Sequence, residues 1–201
     1  MFYQSPVKIL QRRWKVIFLS GAFFALFAAF ATVLFPLEYR ADAQVLIISS
    51  SRYGVDPYTV VKSAERVGEN IAQIMKTGDF YNKVREQQGT QVDWNYFEGL
   101  TERKKRKAWD RAVSPSIIFG TGVLNVSTFH KDPVQAEQLD RAVVATLESR
   151  AVDYVGGDVT LKIVNQPIVT NWPVRPNIFI NTLLGFLIGI FLMGFFSVRK
   201  K

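Results

Sequence analysis

The residues able to do chemistry are few and scattered. His130 is the single histidine of the 201-residue chain and cysteine is absent, so thiolate catalysis, thiolate metal sites and disulfides are excluded. His130 lies between an apolar run and Asp132-Pro133, where an imidazole serves a turn. General acid–base work needs a base within reach of the proton it takes, and the carboxylates in view, Asp56, Asp132 and Glu65, read as two helix caps and a helix-surface charge. Gly120-Thr121-Gly122 lacks the Lys-Ser/Thr that completes a phosphate loop. The sequence therefore predicts no catalytic residue, no cofactor and no metal site. The densest charge is the run Arg103, Lys104, Lys105, Arg106 and Lys107. Adjacent cations create a local positive field, used either as a solvated helix face or for contact with anionic lipid headgroups, a lipid-linked pyrophosphate or an acidic glycan. Trp94, Tyr96, Phe97 and Trp109 flank the run; they are available as sugar-stacking rings or, for most of them, as core.

Two uncharged apolar runs must position whatever lies between them. They are residues 16–37 and 176–198, and at about 1.5 Å per residue each crosses a hydrocarbon core of about 30 Å. Lys8, Arg12, Arg13 and Lys15 precede the first run, Arg199, Lys200 and Lys201 follow the second, and neither flank holds an acid. These seven cations nearly account for the net charge of +8, and the middle sets the remaining 18 cations against all 17 acids. Lys and Arg beside a span hold that side in the cytoplasm. The expected layout is a cytoplasmic arm 1–15, a span 16–37, an extracytoplasmic domain 38–175, a span 176–198 and a cytoplasmic tail 199–201. The high pI then reflects topology and anionic lipid, and nucleic acid is not an expected partner. Ala41-Asp42-Ala43 has the small-x-small form of a signal cleavage site. The first run is longer than a signal peptide's apolar core of about 7–15 residues, however, so an uncleaved anchor is expected.

Between the spans the periods change. Tyr39, Ala41, Ala43, Val45 and Ile47 alternate with Arg40, Asp42 and Gln44, a period of two and hence a strand. Asp56-Pro57 opens a helix striped by Val60, Ala64, Val67, Ile71 and Ile74, which Gly78 is expected to close in a left-handed cap. A short helix follows at 80–88, then a basic helix over 93–111 broken near Gly99, and a second strand in GVLNVSTF. Asp132-Pro133 repeats the capping device before a helix to about Tyr154, with Ala136, Leu139, Val143, Leu147 and Arg150 near one face; Gly156-Gly157 ends it, and DVTLKIVNQPIV gives a third strand. The pattern predicts an α+β domain, a small sheet with helices on one side, between two transmembrane helices.

Two further motifs concern assembly. Pro173 and Pro176 fix φ and favour extended backbone before each ring, either as a plain helix-start signal or as a stiff join between domain and span. Gly185 and Gly189 make a Gly-x-x-x-Gly notch that permits close helix approach, read either as a contact between subunits or with a partner, or as chance spacing of a residue common in membrane helices.

The first span leading into YRADAQVLI, the DPYTVVKSAERVGENIA helix, the VLNVSTFHKDPVQAEQL strand-to-helix step and the QPIVTNWPVRPN entry to the second span together resemble the polysaccharide co-polymerases. These are the Wzz-type chain-length determinants and the related short transmembrane subunits of capsule tyrosine kinases. The resemblance implies a non-catalytic regulator of surface polysaccharide length, whether of lipopolysaccharide O-antigen, capsule or exopolysaccharide. It implies a homo-oligomer beside a membrane polymerase and a lipid-linked glycan, in the bacterial inner membrane with both termini cytoplasmic. The chain lacks the long helical extension that builds a tall bell-shaped ring in larger members. Past the second span it offers only Arg199, Lys200 and Lys201, so an export or kinase-activating subunit is the alternative within the family. A two-span extracytoplasmic sensor is the alternative from a different class, and it would require a cytoplasmic output domain.

Overall fold

The alternation that begins at Tyr39 becomes strand β1 (Tyr39–Ser49) in a computed structural model that describes residues 10–49, 56–87, 89, 91–150, 152–155 and 159–199. Ala41, Ala43, Val45 and Ile47 are buried on one face of β1. On the other, Arg40 Nε pairs with Asp42 Oδ2 at 2.8 Å and Ser127 Oγ donates to Asp42 Oδ1 at 2.6 Å. With β2 (Val113–Ile117), β3 (Val123–His130) and β4 (Val159–Val169), this strand forms a four-stranded sheet in the order β2-β3-β1-β4. Every pairing is antiparallel, with Ala43 opposite Val126 and Ile47 opposite Leu161. The sheet belongs to a compact unit, Glu38–Pro173; Met1–Leu37 and Val174–Lys201 form a second.

In the first unit the helices cover one face of the sheet, as expected. α2 (Pro57–Ile74) starts on Asp56, whose Oδ2 accepts from Thr59 N at 3.2 Å. Its end differs from expectation. Gly78 does not close it in the left-handed region, which among the described glycines is adopted by Gly89 and Gly120. Instead Thr77 caps a new helix, α3 (Gly78–Arg85), accepting from Phe80 N at 3.3 Å. Glu65, expected on the surface, is buried on α2 and held by Lys62 Nζ at 3.1 Å. The basic segment breaks at Gly99 into α4 (Asn95–Glu98) and α5 (Glu102–Ala112).

α5 runs without a turn into β2, a strand absent from the sequence reading. α6 (Pro133–Arg150) starts on Asp132, whose Oδ1 accepts from Val134 N at 2.8 Å, and it packs on β1, β3 and β4. Ala136, Leu139, Val143 and Leu147 are buried there as expected, whereas Arg150 is exposed. α7 (Val152–Val155) follows, and the Gly156-Gly157 stop lies outside the described residues. One core joins Ala64, Ile71 and Met75 of the α2 segment, Phe80 and Val84 of α3, Trp109 of α5, Leu139, Val143 and Leu147 of α6, and the inner residues of the sheet.

The second unit pairs α1 (Trp14–Val33) with α8 (Ile178–Arg199), each long and apolar enough to cross a membrane. Pro36 lies just past α1, and a residue before proline is steered away from helical ψ. Asn177 opens α8 by accepting from Ile180 N at 3.0 Å.

Candidate functional site

α5 presents the basic run as an amphipathic helix. Arg103, Lys104, Arg106 and Lys107 are exposed, while Lys105 is turned inward. Lys105 Nζ meets Glu102 Oε1 at 2.8 Å and stands 5.9 Å from the centre of the Tyr81 ring. The hydrogen bond to Glu102 raises the Lys105 pKa, and the same contact lowers that of Glu102. On the helix's inner side Trp109 is buried, and its Nε1 donates to Met75 O at 2.8 Å, tying α5 to the end of the α2 segment.

Of the four rings flanking the run, Phe97 and Trp109 are core, Trp94 is half-buried and Tyr96 is exposed. Tyr81 of α3 is the ring that three of them gather round, with centroids at 5.1 Å to Trp109, 5.6 Å to Trp94 and 5.7 Å to Phe97. Sequence reasoning missed Tyr81. Its only signal was a place on the apolar face of a short helix, and its partners lie far along the chain. Between α3 and α5 a cavity of about 190 Å³ is lined by Gly78, Tyr81, Asn82, Glu102, Lys105, Arg106 and Trp109. The Tyr81 hydroxyl is buried and has no hydrogen-bond partner among the described residues. Burial raises its pKa, opposed by the charges of Lys105 and Arg85.

The other sequence candidates have local structural roles. His130 Nδ1 accepts from Asp132 N at 3.0 Å, inside the β3-to-α6 turn. Pro173 ends the first unit, and the Arg175–Pro176 peptide is cis. Gly185 and Gly189 lie in the seam between the chain's own two apolar helices. A Cβ at Gly185 would stand 2.6 Å from Ala28 Cβ and 2.7 Å from Phe24 O; one at Gly189 would stand 2.7 Å from Ser20 O. Two polar links flank them: Ser20 Oγ to Gly189 O at 3.3 Å and Asn181 Nδ2 to Thr32 Oγ1 at 3.1 Å. The close approach expected from the Gly-x-x-x-Gly spacing is thus made within one chain.

A family model described as Wzz, chain length determinant protein, matches residues 7–88, the stretch that holds α1, β1, α2 and α3. No curated protein gives a significant match.

Proposed function

We propose that this chain, a member of the Wzz-type polysaccharide co-polymerases by its match over residues 7–88, sets polysaccharide chain length as a non-catalytic, oligomeric partner of a membrane polymerase. One observation carries the reading. The matched span–strand–helix segment opens a chain whose α+β unit is bracketed by two apolar helices of membrane-spanning length. Function in chain-length determination and polysaccharide biosynthesis follows from the family. The finer reading is that copies associate side by side in the bacterial inner membrane, with residues 38–175 outside and both termini in the cytoplasm. The assembly governs how long a growing lipid-linked chain stays engaged with the polymerase.

Within that reading the site residues take separate parts. Pro173 and Pro176 stiffen the passage from domain to span, because each ring removes a backbone rotation and restricts its predecessor. Gly185 and Gly189 make a pair of the two spans, since lipid supplies no hydrophobic gain and close packing must hold helices together. The run Arg103, Lys104, Lys105, Arg106 and Lys107 faces the anionic part of the glycan or its lipid carrier.

Deleting the gene and resolving surface polysaccharide by gel tests the proposal. The expected outcome is loss of a preferred length, with total polymer retained and the preference restored by a plasmid copy. An unchanged length distribution in the deletion strain would overturn it.

A further inference from the structure

The cavity between α3 and α5 has the makings of a ligand site. Its inner wall is aromatic, Tyr81 and Trp109, both buried. Its polar lining is one amide, one carboxylate and two cations: the exposed Asn82, Glu102 and Arg106, and Lys105, which is turned inward. At about 190 Å³ the space is below the several hundred Å³ of a drug-sized pocket and suits a single ring. Mixed donors and acceptors over an aromatic wall fit a ring with alternating hydroxyl and C–H surfaces, and the excess of one positive charge among the lining residues fits an anionic substituent.

We propose that this cleft binds one anionic sugar residue against its aromatic inner wall, the carboxylate or phosphate held by Lys105 and Arg106 and the hydroxyls by Asn82 and Glu102. The inference rests on the polysaccharide reading above and assigns the contact to two members of the basic run rather than to all five. Lys105 is held in place by Glu102, so an arriving anion meets a positioned ammonium. Arg106 supplies the planar donor set that matches carboxylate or phosphate.

Gly78 provides a way to block the cleft without touching its polar groups. It lines the cavity, its φ lies outside the left-handed region, and a Cβ built on it meets no heavy atom within 4 Å. Gly78→Leu therefore fills open space at the first turn of α3.

The test is ligand-observed NMR on the full chain in detergent, with glucuronate and glucose 1-phosphate as probes and glucose and inorganic phosphate as controls. The two anionic sugars are expected to bind with Kd on the order of millimolar, and each control at least about tenfold more weakly. Gly78→Leu should abolish binding, and Lys105→Gln or Arg106→Gln should weaken it about tenfold.

No binding of either anionic sugar, binding that survives Gly78→Leu, or phosphate binding as well as the sugars would overturn the proposal. The deletion experiment fails or succeeds separately. Altered polymer length without sugar binding removes this site and leaves the function, and sugar binding without altered length does the reverse.

Discussion

Asp140 is a surface-type residue in the core. It sits on α6, fully buried, with neither carboxylate oxygen hydrogen-bonded among the described residues. Burial, and next the charge of Asp42, push its pKa up to about 9. An unfolded chain releases that proton near pH 3.9, so the native state binds the extra proton, and stability falls as pH rises from about 4 to about 9. Each unit in that window is worth about 1.4 kcal/mol at most, and local opening that admits water reduces it. Asp140→Asn keeps the shape and removes the titration. It should be about 2–4 kcal/mol more stable than the parent at pH 7 and about equal to it near pH 4. Urea unfolding of the full chain at the two pH values measures this, and equal midpoints at pH 7 would contradict the buried carboxyl. The sequence showed Leu139, Val143 and Leu147 as one stripe of α6. It could not show that the helix is buried on both sides of that stripe, as Asp140, Val144 and Thr146 require. Glu65 was hidden in the same way, because a periodic stripe gives the centre of a buried face and leaves its edges open.

Elements were legible where a local rule decided them. Period two in β1 and the Asp-Pro starts of α2 and α6 depend on neighbours along the chain, and they appear in the structure. β2 was not legible. It follows α5 without a turn and contains Pro115, which argues against a central strand. It survives because the order β2-β3-β1-β4 puts it at the sheet edge, a placement set by long-range pairing alone. The glycine notch of α8 was visible as spacing, but its partner was not, since both α1 and a second subunit could fill it. Thr32 and Asn181, hydrogen-bonded at 3.1 Å, give a direct test in a chain without cysteine. Thr32→Cys with Asn181→Cys should oxidise to an intrachain disulfide. Adding Gly185→Leu and Gly189→Leu should abolish it, because each new side chain begins less than 3 Å from the backbone or Cβ of α1. Cross-linking between chains instead would return the notch to the subunit interface, and an intrachain bond that persists with both leucines would remove it from either role.

At the scale of the whole molecule the decisive pattern is charge, and topology is the claim it makes. Seven cations and no acid flank the apolar runs on their outer sides, while the 17 acids all lie between the runs. Cations next to a span resist translocation, and acids contribute little to that bias. The two flanks therefore act in the same direction on two antiparallel helices, and the opposite orientation would carry both basic flanks across the membrane. In the proposed orientation the cleft, the sheet and the helices of Glu38–Pro173 would lie on the side where a surface glycan is assembled, so the proposed site depends on it. Fusions to a reporter active only outside should give signal at Ser51 and Gly157 and none at Gln4 or Lys201, with a cytoplasm-dependent reporter giving the converse. Replacing Lys8, Arg12, Arg13 and Lys15 with Gln should weaken the first signal, leaving Arg199, Lys200 and Lys201 to hold part of the population in place. Activity of the cytoplasmic reporter at Gly157 in the unaltered chain would put the domain on the wrong side for a glycan, and both the length-control reading and the sugar site would fall with it.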